Sequence, residues 1–306
     1  MRRVFLLYVC IGFLFLAHFW QLGALELEVS GGINNFSYDP EKTIAYTSTA
    51  GTSNDFQPYL FGFGTINFKD EIGRVLGYRI NLERDVIMQN SLYAAFSARA
   101  DYFFIELGPF VGMRDALEIP DFGLMGTIEA TLPGVGFLSF GGSSSMGSSL
   151  DFTSDNIHES AEAKIGIWLA QIIILSFSAG TKSYAVVIEE TASNLIRRDS
   201  LTRYQFSVDL FAKNSPFRLR LDGGYQTFSR DYERGNVKET DEVSAYFAGL
   251  EMSIQILQSL RETSRSCRII AGCEMPILPS AKEPMTISAE FWNFYKAKAG
   301  FAFTFN

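Results

Sequence analysis

Side-chain polarity alternates with a period of two in one segment of this sequence after another. The segments "RVLGYRINLER", "HESAEAKIGIWL" and "FRLRLDGGYQTF" each carry apolar residues at every second position, with charged or small residues between them. Successive side chains of a β-strand point to opposite faces of the sheet, so each segment predicts a strand with one apolar and one polar face. Because the pattern recurs along the chain, we expect an all-β protein with antiparallel strands.

The connections between these strands alternate in character. Long polar connections take turns with tight turns, which is typical of a transmembrane up-and-down barrel with short periplasmic turns and longer outside loops. The predicted long connections are residues 38–57, 86–90, 114–120, 145–156, 189–199, 231–240 and 276–284. The predicted tight turns centre on residues 70–71, 100–101, 132–134, 170–171, 214–215 and 258–266.

The strand count closes on 14, an even number that returns the chain to the side from which it started. Twelve strands is the alternative, because residues 58–69 and 134–144 contain several glycines and their polarity pattern is ambiguous. The last strand is predicted to be unusually long, from Met285 to Phe305, because the alternation continues over that range without a change of register.

The first 24 residues differ from the rest. Two arginines at positions 2 and 3 precede an apolar run from Val4 to Trp20, and the segment ends on Gly23 and Ala24. This order is typical of a secretory signal peptide, so we predict cleavage after Ala24 and a barrel over residues 25–306. An uncleaved anchor is the alternative, because the apolar run is long. No later apolar stretch approaches the ~20 residues of a transmembrane helix.

Charge and cysteine content argue against several functions. Without residues 1–24 the chain carries 24 basic against 34 acidic residues, a formal charge of −10, which argues against nucleic acid as a partner. Cys267 and Cys273 lie six residues apart in one predicted strand, too far for a disulfide between them. The sequence contains no CxxC or HExxH pattern, so we expect no metal site and no cofactor.

A soluble sandwich of antiparallel sheets also alternates, but it turns its apolar faces inward. Here the apolar faces carry small residues and phenylalanine, while charges stand in the middle of the opposite faces, which favours lipid outside and water inside. Around 14 strands, side chains no longer fill a barrel interior. The candidate pore-lining residues are Arg79, Glu83, Arg99, Glu106, Glu162, Lys164, Arg203, Asp209, Arg218, Arg220, Asp222 and Arg268.

The final strand resembles the terminal β-signal of bacterial outer-membrane barrels, which the barrel-assembly machinery recognises. The matching positions in "KAGFAFTF" are Lys298, Gly300, Phe303 and Phe305, and the departure is Asn306, because many barrels end on the aromatic residue itself. The chain is also similar in size to monomeric porins, and "ARADYFFIELGPFVGM" and "IEATLPGVGFLSF" resemble treponemal outer-membrane proteins. The resemblance implies the outer membrane as the location and the lipid bilayer and the assembly machinery as partners.

These features predict a water-filled pore for passive diffusion of small solutes, without enzymatic activity. One alternative is a surface-binding or adhesin-type barrel that uses loops 38–57 and 145–156, which are rich in Thr, Ser, Gly and Asn. Another is a channel for hydrophobic substrates, as in the fatty-acid transporter family, although that family's N-terminal hatch is missing here. It would use the predicted inward aromatic residues Phe104, Phe110, Phe247, Trp292 and Phe294.

A third alternative is an outer-membrane phospholipase. His158 and Ser160 resemble the His-x-Ser pair of that family, in which the histidine activates the serine nucleophile. Both residues fall on the face predicted to point into the barrel, whereas a lipid-cleaving site must face lipid, and no asparagine follows at the family's spacing. The sequence therefore favours a channel over a lipase.

Overall fold

The computed structural model describes residues 25–34, 61–72, 75–84, 89–114, 121–147, 157–169, 172–188, 195–211, 215–234, 237–258, 265–282 and 296–305. These residues form 14 β-strands, and no helix long and apolar enough to cross a bilayer occurs among them. The predicted signal peptide, the loop 38–57 and the residues Trp292 and Phe294 lie outside the described residues.

The strands follow one another along the chain as an uninterrupted meander. They are β1 (Leu25–Asn34), β2 (Phe61–Ile72), β3 (Leu76–Arg84), β4 (Gln89–Arg99), β5 (Phe103–Arg114), β6 (Asp121–Leu132), β7 (Gly136–Gly147), β8 (Ile157–Leu169), β9 (Ile173–Ile188), β10 (Leu195–Leu210), β11 (Phe217–Arg234), β12 (Val237–Gln258), β13 (Arg265–Lys282) and β14 (Lys296–Phe305).

Each strand pairs with its neighbours in sequence, and β14 returns to pair with β1, which closes the barrel. In this seam Leu25 lies opposite Phe305 and Asn34 lies opposite Lys296, an antiparallel register over the full length of both strands. The prediction of 14 strands is confirmed, and the alternative of 12 is wrong, because β2 and β7 each form complete ladders on both sides. Closure gives every described strand a hydrogen-bonded neighbour on both sides.

The outer face of the barrel is apolar. The outward positions include Phe96, Leu107, Ile128, Phe140 and Ile254, each about half or more exposed. The positions between them point inward, and there the buried residues include Asp209, Glu106 and Ser207 as well as aromatic rings. A surface of this kind is stable in hydrocarbon and unstable in water, so the structure confirms the arrangement expected from the sequence, lipid outside and polar groups inside.

The strands differ in height around the barrel. Strands β1 to β8 and β14 have 9 to 13 residues, whereas β9 to β13 have 16 to 22. A transmembrane strand needs about 9–11 residues, so one side of the barrel rises beyond the membrane. Residues 231–240 and 276–284 were predicted as long connections, but most of both belong to strands, and part of 189–199 does as well.

A row of tyrosines marks where the tall strands leave the membrane. Tyr204, Tyr225 and Tyr246 are paired across β10, β11 and β12 on the outer face, and the last two rings lie 5.2 Å apart. Below the row the outward residues are apolar; above it they are polar, as in the pairs Ser183–Ser200 and Thr181–Thr202, whose hydroxyls lie 2.9 and 3.5 Å apart. An aromatic girdle at this height is typical of an outer-membrane barrel.

The change in polarity explains why parts of the tall strands were predicted as loops. Above the tyrosine row both faces of a strand meet water, so the period of two disappears although the backbone ladder continues. The eight residues of β12 from Val237 to Ser244 stand above Tyr246, which corresponds to a height of about 20 Å at the usual rise and tilt. For the last strand, the structure describes only Lys296–Phe305 as β14, and the predicted extension back to Met285 lies outside the described residues.

Candidate pore lining

The inward charges of β10 to β13 are tied to one another along the wall. Arg203 donates two hydrogen bonds to Glu274, at 3.0 and 2.7 Å, across the intervening strands β11 and β12. Its guanidinium lies 3.8 Å from the centre of the Phe247 ring, which fills the space between the partners. A bidentate pair resting on an aromatic face holds the arginine in a single position.

Two further pairs extend this group towards the tight-turn end. Arg218 donates to Asp209 at 2.8 Å, and Arg220 donates to Asp222 at 2.9 Å. Ser207 and Gln205 complete the bonding of these groups. We call the inward residues of β10 to β13 the paired wall; the ionic members that pair with one another are Arg203, Asp209, Arg218, Arg220, Asp222 and Glu274. The sequence predicted that all of these except Glu274 form a patch of mixed sign. It did not predict that Glu274 pairs with Arg203, because the two residues lie three strands apart.

Another ion pair of this type lies on the opposite side of the barrel. Arg79 on β3 pairs with Glu106 on β5, over the ring of Tyr93 on the strand between them, with its guanidinium 4.8 Å from the ring centre. Tyr93 also donates from its hydroxyl to Glu106 at 3.0 Å. Tyr93 belongs to a small buried cluster with Ala95 and Phe110, against which Met125 packs.

Four inward aromatic rings lie flat against the wall, each over a glycine of the neighbouring strand. A methyl group added to any of these glycines would collide with the ring. A cation or a histidine also lies against each ring. The four stacks are Gly32–Phe63–Lys296, Gly123–Phe110–His158, Gly166–Phe137–Lys164 and Gly224–Phe247–Arg203. Because each ring lies over a glycine of the wall, it occupies little of the lumen.

The other predicted residues have separate positions. Arg99 lies at the tight-turn end, exposed, 3.7 Å from Glu71 and over the Phe104 ring. Arg268 faces inward near the same end, half-buried. Lys164 covers Phe137, and Glu162 is exposed in the lumen. Among the described residues, no ion pair or hydrogen bond holds the Glu162 carboxylate.

Small residues line the wall around Glu162. Its directly opposed neighbours are Gly141 on β7 and Gly180 on β9, and one step further along the strands Ser143 and Ser160 share a hydrogen bond of 2.6 Å. We call these inward residues of β7 to β9 the open arc. A cavity of about 380 Å³ lies against the open arc and reaches from β3 to β10.

One ion pair crosses the lumen. The Nζ atom of Lys182 on β9 lies 3.5 Å from Oε1 of Glu83 on β3, and both residues line the cavity. The two side chains are 42% and 37% exposed, so water reaches this pair from the lumen. An exposed pair of this kind contributes about 0–1 kcal/mol.

The geometry does not favour a lipase at His158 and Ser160. His158 is buried in the barrel interior, with its ring 4.8 Å from that of Phe110. Ser160 Oγ shares its short hydrogen bond with Ser143, and both side chains line the internal cavity instead of the lipid-facing surface.

A closed antiparallel barrel with an apolar exterior, an aromatic girdle and a charged interior defines a class, and this chain is an outer-membrane β-barrel. No protein-family model matches the sequence, and no curated protein matches it.

Comparison with solved structures finds outer-membrane barrels at low similarity. A bacterial polysaccharide outer-membrane secretin has 9% identity and a TM-score of 0.43, over 92% of this chain and 98% of its own. An outer-membrane channel from Pseudomonas putida F1 has 8% identity and a TM-score of 0.41, over 93% and 96%. A monoaromatic hydrocarbon channel, CymD, has 6% identity and a TM-score of 0.36, over 94% and 89%. Similarities this low transfer no substrate, activity or assembly state.

Proposed function

We propose that the barrel is a passive channel for small hydrophilic solutes in the outer membrane and that it has no enzymatic activity. The observation that supports the proposal is the inward face of the described strands, where charged and hydroxyl side chains surround a cavity of about 380 Å³. The inward aromatic rings lie over glycines of the wall, so they leave the centre of the barrel to water.

A channel for hydrophobic substrates would need apolar surface that faces the lumen. Of the five inward aromatic residues predicted for such a channel, Phe110 and Phe247 are only 3% and 2% exposed. His158 lies against the Phe110 ring and Arg203 against the Phe247 ring. The polar lining therefore supports a hydrophilic solute.

Conductance in planar lipid bilayers tests the proposal. We expect stepwise insertion events whose current is linear with voltage and rises with salt concentration. Swelling of vesicles in sugars of increasing size then measures the size limit. The control is the same preparation after heat unfolding, which removes the barrel but keeps the detergent and lipid. Barrels that insert, as judged by heat-sensitive migration on a gel, but carry no current would contradict the proposal.

The tall strands support a second candidate, a surface-binding role. Strands β9 to β13 stand well above the tyrosine row, and their polar outer faces there meet water instead of lipid. The hairpin of β11 and β12 can be shortened across the paired residues Asp231 and Thr240 without touching the membrane-spanning part. If surface binding is the function, the shortened barrel loses binding of whole cells to their ligands while its conductance stays the same.

We also propose that the barrel-assembly machinery recognises the terminal strand. Only glycine fits at position 300, because a Cβ atom there would lie 2.5 Å from the Val29 carbonyl oxygen. Phe303 instead points outward, so its replacement leaves the seam intact. We expect Phe303→Ala to refold in detergent but to reach the outer membrane of cells in reduced amounts. Normal assembly of Phe303→Ala in cells would contradict recognition.

Gly300→Ala is the second variant. It tests whether β14 can pair with β1 and close the barrel in detergent, where the assembly machinery is absent. The clash with β1 predicts failure to refold in detergent. The matched control is Gly249→Ala, where the nearest atoms would lie 3.4 Å away, an ordinary contact.

A further inference from the structure

Strand β8 carries two residues of opposite charge on its inward face. Glu162 and Lys164 are two residues apart, so their Cα atoms lie about 6.6 Å apart at the usual rise of a strand. The Glu162 side chain is exposed to the lumen, and that of Lys164 is half-buried. Neither residue takes part in an ion pair with any other residue that the structure describes.

The same spacing has a different outcome on β11. Arg220 and Asp222 are also two residues apart on one inward face, and Arg220 donates to Asp222 at 2.9 Å. Opposite charges at this spacing can therefore meet along a strand. Glu162 and Lys164 do not meet, because their side chains lean to opposite sides of β8.

Contacts with the neighbouring strands show this divergence. A Cβ atom on Gly180 of β9 would lie 3.5 Å from both Cβ and Cγ of Glu162, whereas the three atoms nearest to a Cβ on Gly141 of β7 all belong to other residues. Lys164 leans towards β7, where its Nζ atom lies 5.7 Å from the centre of the Phe137 ring. The carboxylate and the ammonium group are therefore separate from each other.

Small residues flank both charges on the neighbouring strands. The directly opposed residues are Gly141 and Gly180 for Glu162, and Ser139 and Ser178 for Lys164. Because no large side chain stands beside the two charges, the lumen widens here, and the cavity of about 380 Å³ lies against Glu162. A space of this size holds a small solute.

Two further bases lie near Glu162, but both are bound to other acids. Arg203 lies two strands away in the same row of paired residues, and its guanidinium donates two hydrogen bonds to Glu274, at 3.0 and 2.7 Å. Lys182 pairs with Glu83 across the lumen at 3.5 Å. The carboxylate of Glu162 is therefore not neutralised by contact with a base of the described wall.

We propose that Glu162 and Lys164 form a two-point site for zwitterionic solutes, the class that includes amino acids and dipeptides. The ammonium group of the solute contacts Glu162, and its carboxylate contacts Lys164. A solute with one charge meets one attraction and one repulsion, whereas a zwitterion gains two attractions. The inference rests on the proposed channel function and names a class of solute for it.

The separation of the two charges suits a short zwitterion. Side chains that lean apart from Cα atoms about 6.6 Å apart place their charges roughly 10 Å apart. Two ion contacts of about 3 Å each leave about 4 Å for the solute, between the charge separation of an α-amino acid and that of a dipeptide. Both contacts are open to water, so they hold the solute weakly enough for it to leave again.

Swelling of vesicles in diglycine, compared with a neutral sugar alcohol of similar size, tests the site. Glu162→Gln and Lys164→Met should each lower the ratio of the two rates about threefold, the value of one exposed ion contact. The same variants should shift the potassium-to-chloride permeability ratio in opposite directions, because they delete opposite charges. Diglycine rates that also move in opposite directions, or do not move, would overturn the site and leave only an effect of lumen charge.

Three control variants separate the site from charge elsewhere and from packing. Glu71→Gln and Arg99→Gln delete the same two charges at the tight-turn end of the lumen and should leave the diglycine ratio unchanged. Lys164→Arg keeps the charge over Phe137 and should also keep the ratio. A fall in any of these controls as large as in the two test variants would overturn the site.

Binding of diglycine can be measured without any flux. Saturation-transfer NMR on the full barrel in detergent should show diglycine bound to the wild type and about threefold less signal in Glu162→Gln and Lys164→Met. If diglycine binds in this way but the barrel carries no current, the site holds and the proposed channel function fails. If current flows but diglycine neither binds nor enters faster than the sugar alcohol, the channel holds and the site is wrong.

Discussion

The paired wall and the open arc are adjacent parts of the same barrel wall, joined where β9 pairs with β10, but they hold their charges differently. On the paired wall Arg203, Arg218 and Arg220 each donate to a fixed carboxylate, and Phe247 supports the first of them. On the open arc Glu162 stands among glycines and serines. The comparison teaches that charged residues on an inward face are not equivalent: some stabilise the barrel, and others are available to ions and solutes.

The difference follows from what lies beside each charge. A guanidinium that bonds two oxygens and covers a ring loses little by being out of bulk water. A carboxylate between glycines keeps its water and its mobility. Substitutions on the paired wall should therefore lower the free energy of unfolding, and substitutions on the open arc should change conductance.

Arg203→Met should show the largest effect on stability. It removes two hydrogen bonds from Glu274, whose side chain is only 19% exposed, and uncovers Phe247. We expect the free energy of unfolding to fall by about 3 kcal/mol, because a largely buried carboxylate loses its partner. Urea unfolding in lipid vesicles measures it. Glu162→Gln on the open arc is the control, with a change within about 0.5 kcal/mol. Equal losses in the two variants would remove the distinction between the two walls.

The glycines provide a second comparison. In Gly224→Ala the new methyl group collides with the Phe247 ring and with the backbone carbonyl of Tyr204, and we expect a loss of about 2 kcal/mol. In Gly141→Ala its one tight contact would be the Thr127 hydroxyl, at 3.1 Å, which can turn away; the next atom, the Gly126 carbonyl oxygen, would lie at an ordinary 3.6 Å. Gly141→Ala should therefore unfold close to the wild type and conduct slightly less. Comparable destabilisation by the two substitutions would show that the open arc is packed as tightly as the paired wall.

Most of the transmembrane fold could be predicted from the sequence, because lipid on one face and water on the other impose a period of two. Where water meets both faces the period is lost, which is why residues 231–240 and 276–284 were mistaken for loops. The period of two therefore reports which solvent, lipid or water, meets each face of a strand, and not whether the segment forms a strand.

The site was less predictable than the fold. Which side chains face inward follows from parity, as for Arg218 and Asp209. Which of them meet does not, because Arg203 and Glu274 are three strands apart and Lys182 and Glu83 are six. Such contacts depend on the curvature and cross-section of the closed barrel. A sequence pattern with a period of two contains no information about either.

Arg218→Gln should have a smaller effect than the two changes above. The Asp209 side chain is 7% exposed and loses its charged partner, but glutamine can still donate one hydrogen bond, and Arg218 itself is 35% exposed. We expect a loss of about 1 kcal/mol in the same urea assay. The matched change on the exposed pair at the tight-turn end, Arg99→Gln, should cost less than half as much, because its partner Glu71 is 48% exposed. A reversed order would mean that burial of the acid is not what makes a pair stabilising.

Lys164→Met should change the free energy of unfolding least. It tests whether an aromatic ring alone, without a carboxylate partner, fixes a cation to the barrel wall. Lys164 covers Phe137 at 5.7 Å over Gly166, but no carboxylate of the described residues lies within ion-pair distance of it. If the ring alone were enough, this loss would approach that of Arg203→Met. We expect only about 0.5 kcal/mol, the contribution of a half-buried cation over a ring, together with a measurable change in ion selectivity, because a lysine without a carboxylate within ion-pair distance remains available to permeating anions. A stability loss near that of Arg203→Met, with unchanged selectivity, would assign the holding role to the aromatic ring and place Lys164 with the paired wall.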